Sequence, residues 1–99
     1  MRHVRFDVAT LAVEQVDVPL KAAYLLVAEQ VGSDDLQWEC VAYGLASAPI
    51  ARGRYRVDIA TLEGRQLAGD AVLVRSIEGA HVLRGDGRLD GVTAADLDP

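Results

Sequence analysis

From Arg54 to Ile59 polar and apolar residues alternate strictly, with Tyr55, Val57 and Ile59 on one side and Arg54, Arg56 and Asp58 on the other. A period of two is the signature of a strand with one face in a core and one in water. The stretch ends at Leu62-Glu63-Gly64-Arg65, and a similar Ile77-Glu78-Gly79-Ala80 follows 15 residues later. Each places a glycine where a tight hairpin needs positive φ. Two hairpins therefore link three predicted strands, at about 54–62, 66–77 and 80–85.

Upstream, Leu36, Trp38, Cys40 and Ala42 share one face while Gln37 and Glu39 lie on the other, again with period two. The preceding segment, 20–31, is ambiguous. Its Ala, Leu, Glu, Gln and Lys favour helix, with Pro19 and Gly32 as start and stop signals. A strand there would instead complete a third hairpin through the four residues 32–35, and strand is favoured on that pairing. At the N-terminus Val4, Phe6 and Val8 alternate with Arg5 and Asp7, then the pattern resumes at Leu11 and Val13 on the opposite parity. A bulge or short turn near Ala9-Thr10 produces such a slip. The end of the chain offers one helical turn at most, with Thr93 as N-cap and Asp96 three residues on.

These elements predict a single all-β domain over residues 1–99, a small antiparallel barrel or two-layer sandwich of six or seven strands. With 13 Val, 12 Leu, 15 Ala and only five aromatic residues, the core must be built from small side chains. No apolar run approaches the length of a membrane span, and none forms an N-terminal signal segment. With one cysteine, Cys40, the chain has neither an internal disulfide nor a paired-cysteine metal or redox motif. Both facts favour a cytoplasmic setting. Nine Arg to one Lys, with no Asn, suggests the GC-rich genome of a bacterium.

The net charge of −5 is unevenly spread: −4 over residues 1–50, +2 over 51–88 and −3 over 89–99. An acidic chain is a poor binder of nucleic acid, because phosphate neutralisation requires a basic surface. Only the middle segment departs from this. There Arg52, Arg54 and Arg56, spaced by two, fall on one face of a predicted strand and could contact an anion. The competing assignment is a solvated face whose arginines pair with acids on neighbouring strands.

Residues 84–91, RGDGRLDG, contain an adhesion-type tripeptide and half of a calcium loop. Calcium requires six to eight oxygens. Aligning Asp86 and Asp90 with such a loop leaves Val82, Arg84 and Thr93 where carboxylates are needed. Calcium binding is therefore not expected, and the stretch is assigned as a glycine-rich turn leading to a short strand at 88–92. His3 and His81 have no Cys, Asp or Glu at metal-ligand spacing, so no metal site, catalytic group or cofactor is assigned.

The remaining signal is the run Ala22 to Ala28. As a strand it would put Tyr24, Leu26 and Ala28 on one face and Ala23, Leu25 and Val27 on the other, so both faces need cover. Ala23, Tyr24, Leu25, Leu26 and Val27 are therefore the candidate contacts of a homodimer. Taken together, the sequence points to a non-enzymatic interaction or assembly module that self-associates. The alternative is a small barrel, with or without catalysis, taking an anionic ligand near Arg52, Arg54 and Arg56.

Overall fold

The computed structural model describes residues 2–33 and 35–98. Seven strands are present: β1 (His3–Val13), β2 (Val16–Asp17), β3 (Leu20–Glu29), β4 (Leu36–Gly44), β5 (Gly53–Thr61), β6 (Gln66–Ile77) and β7 (Ala80–Asp90). Six of them close into an antiparallel barrel in the order β1-β3-β4-β7-β6-β5, with β5 returning to β1, and β2 lies outside against β1. The barrel alternative is thus the one adopted.

Closure depends on β1. Its first half, His3 to Asp7, pairs with β3, and its second half, Val8 to Val13, pairs with β5. The register shifts between Val8 and Thr10, the position where the sequence pattern slips. Phe6 and Val8 before the shift and Leu11 and Val13 after it are all buried. The extra residue lets one strand turn the corner while keeping its apolar side inward.

Segment 20–31 is a strand from Leu20 to Glu29, despite its helix-favouring composition. Ala23, Leu25 and Val27 enter the core and lie against Ala42, Cys40 and Trp38 of β4 in cross-strand register. The connection to β4 is longer than the four residues expected, because pairing stops at Glu29 and Leu36. Asp34 within it lies outside the described residues.

The two ends of the barrel are covered differently. Over one end the tail docks: Val92 and Leu97 are buried, Asp98 pairs with His3, and the 3-10 turn Ala94–Asp96 is tied to β6's entry by an Arg65–Asp96 ion pair of 2.9 Å. This is the single turn expected after Thr93, whose N–H donates to Asp96 Oδ2 at 2.8 Å. At the other end, residues 45–52 cross from β4 to β5. The Leu45 N–H donates to the Pro19 carbonyl and the Ile50 N–H to Ser76 Oγ, both at 2.9 Å.

RGDGRLDG is not a turn between two strands, as the sequence suggested. All of it but Gly91 lies within β7, which runs unbroken from Ala80 to Asp90. Between the pairs Ala71–Gly85 and Gly69–Leu89, β6 contributes only Asp70 while β7 contributes Asp86, Gly87 and Arg88. The surplus residues bulge outward around Trp38, whose Nε1 donates to the Gly87 carbonyl at 3.0 Å. A Cβ at Gly85 would overlap the indole, and one at Gly69 would sit 2.9 Å from it. The glycines make room for the indole in a core built mainly of Val, Leu and Ala. Gly85→Ala should therefore cost about 2–3 kcal/mol, the penalty of overpacking a filled core. Urea denaturation checks this, and stability within 0.5 kcal/mol (roughly the scale of a neutral surface change) would show that the indole has slack.

Candidate functional site

Strand alternation sorts the sequence candidates at once. Of the five residues proposed for self-association, Ala23, Leu25 and Val27 point into the barrel, and the last two are fully buried. Tyr24 and Leu26 point outward, with Leu26 41% exposed. The other outward side chains of β3, β4, β7 and the end of β6 extend them into a surface. In one cross-strand row Tyr24 lies beside Val41 and Val41 beside Val82; in the next, Ala22 lies beside Tyr43, Tyr43 beside Ala80 and Ala80 beside Ile77. Tyr43 is 45% exposed and Ile77 52%. Val41 is buried although it faces outward, which places the densest part of this apolar surface at the centre of β4.

Charges flank the surface. The Tyr24–Val41–Val82 row continues to Asp7 of β1 at one margin and to Arg75 of β6 at the other. The adjoining row holds Arg5, Leu26, Glu39 and Arg84, with Arg84 Nε 3.8 Å from the Glu39 carboxylate. The Arg5 guanidinium stacks 4.5 Å from the Tyr24 ring centroid, which holds that ring at the edge of the patch.

The arginine row lies on another side of the barrel. Arg54 and Arg56 project together from β5, whereas Arg52 precedes the strand and so is not on its face. Neither strand arginine is free. Arg54 meets Asp70 at 3.2 Å and Asp86 at 3.1 Å, and Arg56 meets Asp70 at 3.6 Å and Asp90 at 3.5 Å. The acids come from β6 and β7, so the two aspartates of the calcium-like stretch are engaged with guanidinium groups. Pairs this exposed contribute little stability individually, but they cancel the positive field an anion would need. Among the described residues no group of three or more His, Cys, Asp or Glu is placed to hold a metal ion.

Cys40 is fully buried, and burial pushes its thiol up to about 12. It packs as a small hydrophobe rather than acting as a thiolate. His81 is also buried, inside the barrel end beneath the 45–52 crossing, with its Nδ1 2.8 Å from Ser76 Oγ. The two residues face each other across the β6–β7 hairpin. The sequence pattern gave no sign that His81 is buried. Among the described residues the surface carries a groove of about 710 Å³ beside Trp38, where β4 and β7 part company, and a pocket of about 160 Å³ at His81. Among the described residues no helix is long and apolar enough to cross a membrane.

Burial lowers the His81 pKa below its usual 6.5. As pH falls through 6.5, the unfolded chain takes up a proton that the folded one refuses. Stability should drop across the window just below 6.5, by up to about 1.4 kcal/mol per pH unit, and level off once the folded imidazole protonates. Urea denaturation at pH 5 and 7 checks this, with His81→Gln expected to flatten the slope. An unchanged slope in the variant would assign it to other groups.

No family model, curated protein or solved structure matches the chain.

Proposed function

We propose that this protein is a non-enzymatic assembly module that pairs with a second copy of itself through the outer face of β3, β4 and β7. The observation that carries this is the apolar surface just described, two adjacent cross-strand rows centred on Val41. A sheet face turned to water should alternate to polar residues, and this one does not. The charged β5–β6–β7 side of the same barrel follows the rule, so the departure is local.

The charges at the margins favour a second copy as the occupant. A two-fold axis along β4 would lay each apolar row over its own reverse, bringing Asp7 of one chain, which meets Arg5 of its own chain at 3.6 Å, to Arg75 of the other twice over. A symmetric pair is also the commonest arrangement of identical chains. The competing proposal, an anionic ligand at Arg52, Arg54 and Arg56, is weakened because Asp70, Asp86 and Asp90 already occupy Arg54 and Arg56.

Sedimentation equilibrium at micromolar concentration should give twice the 10.6 kDa of one chain. Leu26→Glu and Tyr43→Glu alter exposed positions and should leave the fold intact. Tyr43→Glu should weaken association about a hundredfold or more, because it buries an unpaired charge; Leu26→Glu, nearer the rim, should weaken it less. Arg75→Glu should also weaken it, and adding Asp7→Arg should restore it. A monomer at all accessible concentrations, or a dimer indifferent to these changes, would refute the proposal.

A further inference from the structure

The pocket at His81 sits at the end of the barrel covered by residues 45–52. Its walls are Val18, Pro19, Ala46, Ala48 and Ile50, with Gly44 beside the ring and Asp17 also on the lining. His81, 2% exposed, is the one buried polar side chain in that lining. The Ile50 N–H donates to Ser76 Oγ, so the hydroxyl has its own proton left to give, and His81 Nδ1 is 2.8 Å away. Giving the hydroxyl proton to Nδ1, its neighbour across this bond, assigns the ring proton to Nε2. Nε2 has no hydrogen-bond partner among the described residues. It lies on the pocket side of the ring, 3.6 Å from where a Cβ on Gly44 would stand.

Among the described residues no buried side-chain polar atom is left without a partner, so Nε2 is open to the pocket, where a ligand oxygen would accept from it in place of water. We propose that the pocket binds a small neutral molecule, or the end of a larger one, that presents a carbonyl oxygen to His81 Nε2 and an aliphatic body to Val18, Pro19, Ala46, Ala48 and Ile50. A volume of 160 Å³ holds roughly five water-sized groups, which suits a short-chain amide or ketone. The Asp17 carboxylate on the lining disfavours an anion. A cation would meet Asp17 alone among otherwise apolar walls, too little to replace its water. Burial keeps the imidazole neutral near pH 7, which preserves the single donor. This site is independent of the assembly face, because none of its lining residues belongs to the two apolar rows.

The test is an NMR titration of the ¹⁵N-labelled protein near pH 7 with isobutyramide, and with isobutyrate as its charged counterpart. The imidazole correlation spectrum should first show the proton on Nε2. Isobutyramide should then shift the Nε2–H and the amides of Gly44, Ala46 and Ile50 saturably, with the millimolar affinity expected of so small a ligand. Isobutyrate, and the His81→Phe variant with isobutyramide, should each be about tenfold weaker or worse. If His81→Phe does not fold, Ala48→Leu, which fills the pocket from an exposed loop position, should abolish the shifts instead. A proton on Nδ1, no saturable shift, equal binding of the carboxylate, or binding that survives the substitution would each overturn the proposal.

Discussion

Everything in this molecule follows from β1 being shared. This strand of eleven residues divides its ladder, pairing with β3 before the Val8–Thr10 shift and with β5 after it, and that division closes the six-stranded barrel. Closure removes the free edges that would otherwise be open to pairing with another chain. It also fixes which side of every strand is inside. Once Phe6, Val8, Leu11 and Val13 all face inward, the registers carried round the barrel commit Ala23, Leu25, Val27, Val57, Ile59 and Leu83 to the core. What remains outside is decided by the same alternation, and on β3, β4 and β7 what remains outside is apolar.

The interior imposes a second constraint of volume. A small barrel filled by Leu, Val and Ala has room for one indole only if the wall gives way, and β7 does so with a bulge of glycines around Trp38. The same bulge brings Asp86 within reach of Arg54. Core packing at one point thus sets the charge pairing on the surface next to it.

Most strands were legible because period-two patterning is local. The hairpins at Glu63-Gly64 and Glu78-Gly79, the parity slip near Ala9-Thr10 and the strand through Trp38 and Cys40 could each be read from a dozen neighbouring residues. Segment 20–29 was ambiguous because its composition favours helix while closure demands a strand, and tertiary pairing overrides propensity. RGDGRLDG was misread because its cause lies far away in sequence, at Trp38. The fate of the arginines was illegible for the same reason. Whether Arg54 meets Asp70 or an external anion depends on strand register, and whether Arg52 joins it depends on where β5 begins. Similarly, the run Ala22 to Ala28 revealed that two faces needed cover, and only closure showed that the barrel itself supplies one of them.

Two copies are proposed to meet at the uncovered face of β3, β4 and β7. Isotope-filtered NOE spectroscopy on a mixture of labelled and unlabelled protein observes contacts between chains and nothing else. Intermolecular NOEs are expected from Tyr24, Val41, Tyr43 and Val82. Their absence, or NOEs confined to the Arg54–Arg56 side of the barrel, would contradict the proposal.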